Sequence, residues 1–217
     1  AFEMMKEKSL SPTPEEIKFI ADVCCGKYHR IRRGNWNWPQ FDKGKELYQQ
    51  FYDLTKCEEI KYILDNFEEF SLKRKRPLVL ICPGGAYGMH SQRESEAVAI
   101  KMNEMGFHAC ILSYSLAPMM FPASLLDLCE AMNYIRSHIE EWNIIENKIV
   151  VAGFSAGGHL TASLGVYWNS NLIKKYLDYP AEMIKPNGLM LAYPVITSKD
   201  PTHRDSIVNV LGDTKEY

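Results

Sequence analysis

Short apolar runs alternate with amphipathic stretches over most of the chain. Strands are predicted for the apolar runs at residues 78–82, 107–114, 148–152 and 188–193, with an edge strand at residues 59–64. Helices are predicted between them, over residues 94–105, 122–140 and 156–167. In the second helix, apolar side chains recur at spacings of three and four, which gives it one apolar face. Because strands alternate with helices, we expect an α/β fold in which helices cover both faces of a mostly parallel sheet.

The first 58 residues lack this alternation. Two helices are predicted there, over residues 13–26 and 45–54. Trp36 and Trp38 lie in the aperiodic segment between them. They either anchor that segment onto a core, which is the interpretation we favour, or line a sugar-binding surface. We therefore divide the chain into a helical and irregular extension, residues 1–58, and an α/β core, residues 59–217.

Composition and charge limit the classes of function that this chain can have. The chain has 217 residues, of which 46% are hydrophobic and 24% are charged, as in an ordinary globular protein. The formal net charge of −2 gives no reason to expect nucleic acid, and we interpret the basic cluster at residues 73–76 as a solvated loop. No apolar stretch reaches the roughly 18 residues of a membrane span, and no signal-peptide pattern is visible. We expect a cytoplasmic protein without a membrane partner.

The cysteines do not predict a metal site. Six are present, at positions 24, 25, 57, 82, 110 and 129, and none has a CxxC or Cys/His spacing typical of zinc. Cys82 and Cys110 lie within apolar runs, and Cys129 lies on the apolar side of a helical pattern. A free thiol packs there as a small hydrophobic group. We expect no metal and no cofactor.

Residues 149–160, IVVAGFSAGGHL, place the pattern G-x-S-x-G between a predicted strand and a predicted helix. Such a turn is strained and aims its serine hydroxyl above the C-terminal edge of the sheet, near the N-terminus of the helix. Gly153 and Gly157 flank the serine because a side chain at either position would strike the neighbouring strand or helix. Ser155 is therefore the candidate nucleophile. The alternative is a glycine-rich turn with an incidental serine.

A nucleophilic serine also needs a general base and donors for an oxyanion. Residues 83–88, PGGAYG, directly follow a predicted strand, so their small side chains bring backbone N–H groups close to the serine. Gly85, Ala86 and Ala156 are the candidate oxyanion-hole donors. A phosphate cradle is the competing interpretation, but the Lys-Ser/Thr of a P-loop and the GxGxxG spacing are both missing.

Three motifs in order, PGGAY, then SYSLAP with FPASLLD, and then GFSAGGHL, resemble the α/β-hydrolase superfamily over about residues 61–197. The most similar branch is that of the carbohydrate-esterase-like enzymes, akin to bacterial feruloyl and acetylxylan esterases and related to the hormone-sensitive-lipase group. The resemblance implies that Ser155 attacks an ester carbonyl and that water then releases the acid from an acyl-enzyme. It places Gly85 and Ala86 in the oxyanion loop. Pro83 replaces the family's histidine, which bears on how the loop is braced but leaves the donor N–H groups in place.

The resemblance also implies an acid and then a histidine after the nucleophile. His159 lies in the helix that starts at the serine, where it points away from the hydroxyl or packs structurally. Asp200 and His203 would keep the order, but they would have to align on one loop. The interpretation we favour is that the chain stops before the last two strands of the fold. The acid and the histidine then lie beyond Tyr217, and the chain as given is nearly inactive.

Three functions stay open at this point. The first is a serine esterase acting on a small-molecule ester, such as an acetyl or feruloyl ester of a sugar. The second is a catalytically incomplete α/β-hydrolase-like binding module, and the third is a serine peptidase of the same fold. A homo-oligomer is compatible with each of them.

Overall fold

A five-stranded sheet lies at the centre of the described part of the chain, which in this computed structural model comprises residues 60–68 and 71–212. These residues belong to a unit that spans Glu58–Tyr217. The strands are β1 (Ile60–Tyr62), β2 (Arg76–Cys82), β3 (His108–Ile111), β4 (Ile144–Phe154) and β5 (Gly188–Ala192). Their order in the sheet is β1-β3-β2-β4-β5. β1 is antiparallel to β3 and the other pairs are parallel, which confirms the predicted edge strand and the mostly parallel sheet.

Helices cover both faces of this sheet, as predicted. They are α1 (Glu96–Glu104), α2 (Ala123–Ser137), α3 (Ala156–Tyr167), α4 (Asn171–Lys174) and α5 (Arg204–Leu211), with 3₁₀ turns at Gln92–Glu94 and Ala181–Ile184. Ala99 of α1 packs against Val79 and Ala152 on one face. α3 lies on the other face, where Gly157 approaches the carbonyl of Cys82. None of the helices within the described ranges is long and apolar enough to cross a bilayer.

Several predicted boundaries differ from the structure. β4 begins at Ile144 rather than at residue 148, and the helix predicted over residues 122–140 ends at Ser137. α4, α5 and the turn at Ala181–Ile184 were not predicted. Cys82, Cys110 and Cys129 are buried, as expected, and these three thiols form no disulfide. The predictions for residues 1–58, including the two helices, Trp36, Trp38 and the other three cysteines, lie outside the described residues.

The carboxyl ends of β2, β4 and β5 meet at one edge of the sheet. Cys82 at the end of β2 is in register with Gly153 of β4, and Phe154 at the end of β4 is in register with Ala192 of β5. The segments that follow these three strands are therefore neighbours. In open α/β sheets, this edge is where ligands bind.

Candidate active site

Ser155 occupies the sharp turn between β4 and α3. Its φ of 51° and ψ of −116° lie in a sparsely populated region, which confirms the strained turn predicted for it. The residue is half-buried, so its side chain is not covered over. Its N–H donates to Ala192 O at 3.0 Å and its carbonyl accepts from Val195 N–H at 3.3 Å. The segment after β5 therefore fixes the turn from both sides.

The glycines beside the serine are required by close packing. A Cβ added at Gly153 would overlap the carbonyl of Gly157 and the hydroxyl of Thr161, both in α3. A Cβ at Gly157 would overlap Cys82 O and lie 2.5 Å from Pro83 O. The two small residues let the helix press directly against β4 and β2. The nucleophile candidate is thereby brought next to the loop that follows β2.

That loop has an unusual backbone. Gly85, Ala86 and Tyr87 have consecutive positive φ angles of 128°, 56° and 57°. Gly84 O accepts from Ser91 N–H at 2.9 Å, and Gly85 O accepts from Gly88 N–H at the same distance. In a trans peptide the carbonyl and the following N–H point in opposite directions. Because these carbonyls bond to the protein, the N–H groups of Gly85 and Ala86 are directed away from those bonds.

The predicted oxyanion donors keep free N–H groups. Among the residues that the structure describes, none accepts a hydrogen bond from the N–H of Gly85, Ala86 or Ala156. Gly85 and Ala86 are half-buried, and Ala156 is the first residue of α3, where the N–H has no partner within the helix. The Tyr87 N–H, which the sequence did not single out, also has no acceptor within residues 60–68 and 71–212. The backbone thus offers several unpaired donors beside the serine.

Two buried phenols brace this loop. The hydroxyl of Tyr114 donates to Pro83 O at 2.6 Å, and the hydroxyl of Tyr87 pairs with Nδ1 of His159 at 2.7 Å. Burial raises the pKa of both tyrosines well above the usual range and lowers the pKa of His159. All three groups are therefore neutral near pH 7. His159 packs structurally, as expected, and ties α3 to the loop.

Two further side chains, neither of which the sequence singled out, contact the loop that follows β2. Glu94 accepts from Gly84 N–H through Oε2 and from the Tyr193 hydroxyl through Oε1, each at 2.9 Å. Asn209 of α5 donates through Nδ2 to Ala86 O at 2.8 Å. A cleft of about 490 Å³ is lined by Arg93, Glu94, Val98, Phe154 and Tyr193, and it includes the residue before Ser155 but not Ser155 itself. No local sequence signal identifies these contacts, because the partners are 10 to 123 residues apart along the chain.

The Asp200–His203 alternative is not assembled in the structure. Nδ1 of His203 pairs with the hydroxyl of Ser206 at 3.0 Å, at the start of α5, and both Asp200 and His203 are exposed. Within the described ranges, no side chain forms a hydrogen bond with the hydroxyl of Ser155. In the same ranges, no group of three His, Cys, Asp or Glu side chains could hold a metal ion. The described residues therefore present a candidate nucleophile and candidate oxyanion donors, and none of their side chains is bonded to the hydroxyl of Ser155 as a base would be.

Comparison with known proteins relates this arrangement to a family. A family model described as BD-FAE matches residues 62–196, more than half of the chain. Endo-1,4-β-xylanase B of Butyrivibrio fibrisolvens is 34% identical over 142 residues, which cover 64% of this chain and 22% of that protein. An acetylxylan esterase of Xylanibacter ruminicola is 30% identical over 132 residues, which cover 60% of this chain and 25% of that protein. The chain thus spans about a quarter of these curated relatives.

Solved structures have the same architecture. An acetyl ester-xyloside bifunctional hydrolase from Caldicellulosiruptor lactoaceticus aligns with a TM-score of 0.63 at 35% identity, over 72% of this chain and 55% of that chain. A carboxylesterase from Lactobacillus plantarum aligns with a TM-score of 0.58 at 28% identity, over 69% of this chain and 61% of that chain. This chain covers less than two thirds of either structure.

Proposed function

The chain belongs to the BD-FAE family and has the α/β-hydrolase fold, and from this premise we propose that it is a serine hydrolase that cleaves carboxylic esters. One observation carries the proposal. The strained turn at Ser155 presents a half-buried hydroxyl next to a loop whose N–H groups at Gly85 and Ala86 have no acceptor among the described residues. A nucleophile with unpaired donors beside it is the arrangement that acyl transfer needs.

The reaction proceeds in two steps. Oγ of Ser155 attacks the ester carbonyl as a general base removes its proton, and the negative charge of the tetrahedral intermediate develops on the former carbonyl oxygen. The N–H groups of Gly85, Ala86 and Ala156 donate to that oxygen. Removing one such donor from an enzyme typically costs about 10² to 10³ in kcat. The alcohol leaves with a proton, and water then hydrolyses the acyl-enzyme by the same route.

On this proposal, the general base is a residue that lies outside the described ranges. His159 is paired with Tyr87 and His203 with Ser206. A histidine oriented by an acid is the usual base for a serine nucleophile of this fold. The expectation that both lie beyond Tyr217 stays a prediction.

The substrates we propose are acyl esters of sugars. Three of the similar proteins are named as a xylanase, an acetylxylan esterase and an acetyl ester-xyloside bifunctional hydrolase. The cleft lined by Phe154 and Tyr193 also carries the charged side chains of Arg93 and Glu94, a combination that suits an alcohol half with polar groups and apolar faces.

The test is an ester panel on the full-length gene product and on the 217-residue chain, each with and without Ser155→Ala. The panel contains p-nitrophenyl acetate, an acetylated xylooligosaccharide and methyl ferulate. We expect Ser155-dependent hydrolysis by the full-length protein and much slower turnover by the short chain. Hydrolysis that survives Ser155→Ala at the original rate contradicts the proposal. Ser155-dependent turnover by the short chain at ordinary esterase rates places the base within these 217 residues instead.

A further inference from the structure

We propose that Glu94 is a positioning residue that holds the oxyanion loop in register with the nucleophile, and that Tyr193 holds Glu94 in place. The inference rests on the proposed function, because it assigns a role within the same site. Neither Glu94 nor Tyr193 lies in the G-x-S-x-G motif or in the PGGA motif. The assignment comes from the contacts that join three segments of the chain.

The first contact fixes the start of the loop. Oε2 of Glu94, in the 3₁₀ turn Gln92–Glu94, accepts from Gly84 N–H at 2.9 Å. On the other side of the same peptide, the carbonyl of Pro83 accepts from the buried Tyr114 hydroxyl at 2.6 Å. Both polar groups of the Pro83–Gly84 peptide are therefore held. A peptide held at both polar groups anchors the start of the loop, and the next two peptides, which carry the Gly85 and Ala86 N–H groups, are held in turn through Gly84 O and Gly85 O.

The carboxylate also lies close to the nucleophile. A Cβ built on Gly84 would lie 2.6 Å from Oε2 of Glu94 and 3.0 Å from Cβ of Ser155. Gly84 therefore packs closely against both the carboxylate of Glu94 and the side chain of Ser155. This close approach explains why position 84 has no side chain, and it puts Glu94 within the immediate surroundings of the reacting atoms.

The second contact anchors the carboxylate to the serine turn. Oε1 of Glu94 accepts from the Tyr193 hydroxyl at 2.9 Å. Tyr193 directly follows Ala192, whose carbonyl accepts from Ser155 N–H at 3.0 Å, and Val195 N–H returns to Ser155 O. Tyr193 itself has a positive φ of 38°, an uncommon conformation for a bulky residue. The chain of bonds runs from the turn through Tyr193 and Glu94 to the loop.

The chemistry of the groups suits this role. Partial desolvation and the hydrogen bond to Glu94 raise the pKa of Tyr193, so its phenol stays a neutral donor. A carboxylate makes stronger hydrogen bonds than a neutral acceptor and has two oxygens, one for each partner. Without Glu94, the loop loses the bond that holds its first N–H group, that of Gly84. We therefore expect weaker binding of the transition state and nearly unchanged binding of the substrate.

The experiment compares kcat and KM for p-nitrophenyl acetate in the full-length protein and in Glu94→Ala, Glu94→Gln and Tyr193→Phe. Glu96→Ala is the matched control, because Glu96 also accepts from a tyrosine, Tyr62 at 2.7 Å, but is exposed on α1. We expect Glu94→Ala to lower kcat about 10- to 100-fold with KM changed by less than about threefold. Glu94→Gln should recover at least half of that loss on a logarithmic scale, since its carbonyl can still accept from Gly84 N–H. Tyr193→Phe should lower kcat about threefold or more, because it removes the donor to Oε1 of Glu94. Glu96→Ala should leave kcat within about twofold of the wild-type value, because Glu96 is exposed on α1.

The outcomes separate this inference from the proposed function. If Ser155→Ala leaves the wild-type rate unchanged, the proposed function fails. If Ser155→Ala abolishes hydrolysis while Glu94→Ala keeps kcat within about threefold, the positioning role is wrong and the proposed function stands. A loss carried by KM alone, or a Glu94→Gln variant as slow as Glu94→Ala, also overturns it. Should Glu94→Ala fail to fold, Tyr193→Phe decides the question, and an unchanged kcat in that variant contradicts the proposal.

Discussion

Replacing Gly157 with alanine tests the packing that brings α3 against β2. The added Cβ would overlap Cys82 O and lie 2.5 Å from Pro83 O and 2.7 Å from Cys82 C, whereas ordinary contacts are ~3.5–4.0 Å. All three are backbone atoms at the end of a central strand, so no side chain can rotate away. Overpacking a tight core typically costs about 1–3 kcal/mol, and a required backbone shift puts this site at the upper end. Alanine offsets at most about 1 kcal/mol through its helix propensity.

We therefore expect Gly157→Ala to lower the free energy of unfolding by about 2–3 kcal/mol, measured by urea denaturation at constant m. Gly165→Ala is the control in the same helix. Its Cβ would lie 2.5 Å from Cδ1 and 3.7 Å from Cγ of Leu189, but this side chain is 40% exposed and its end can move. The control should change stability by less than about 1 kcal/mol. If the two variants differ by less than about 0.5 kcal/mol, the close approach of α3 to β2 is wrong.

Three further predictions concern the loop that follows β2 and the buried His108. Asn209→Ala removes the donor to Ala86 O and should lower kcat on p-nitrophenyl acetate about 3- to 10-fold; an unchanged kcat contradicts a bracing role for α5. Tyr114→Phe leaves the buried Pro83 O without its donor and should cost about 1–3 kcal/mol in urea unfolding, so a cost near zero contradicts that bond. Burial lowers the pKa of His108, whose Nδ1 accepts from a backbone N–H, so the unfolded chain binds the proton first as pH falls below its ordinary value of 6.5. The stability that depends on neutral His108 should therefore be fully present above pH 6.5 and fall below it. His108→Gln should reduce that fall in thermal melts compared between about pH 8 and about pH 5, each about 1.5 units from that value.

The apolar pattern predicted the sheet because buried parallel strands have a strong local signal. LVLIC and IVVA are short apolar runs rich in branched side chains, which are typical of buried strands, and β2 and β4 are at the centre of the sheet. The turn at Ser155 was predictable because the G-x-S-x-G pattern lies between a predicted strand and a predicted helix, where its small residues permit the close packing that a sharp turn requires. α5 was missed because its eight residues follow SKDPTH, a segment typical of a loop.

The bracing contacts could not be predicted, because they depend on tertiary placement. The hydroxyl of Tyr193 reaches Glu94 across 99 residues, and Asn209 reaches Ala86 across 123. Neither pair has a spacing that a helix or strand imposes. The direction of the Gly85 and Ala86 N–H groups likewise follows from which carbonyls the neighbouring segments hold. The sequence indicated these donors through the small residues that follow a predicted strand and through a resemblance, whereas their unpaired state is a property of the folded loop.

The most direct test of the central claim is to trap the acyl-enzyme. The full-length protein is mixed with p-nitrophenyl acetate, quenched in acid within the first turnover and digested, and the peptide containing Ser155 is analysed by mass spectrometry. We predict one added acetyl group on Ser155, absent from the Ser155→Ala variant and lost as hydrolysis proceeds. Release of p-nitrophenol at the same rate from Ser155→Ala, with no acetyl group on the wild-type peptide, would contradict the assignment of Ser155 as the nucleophile.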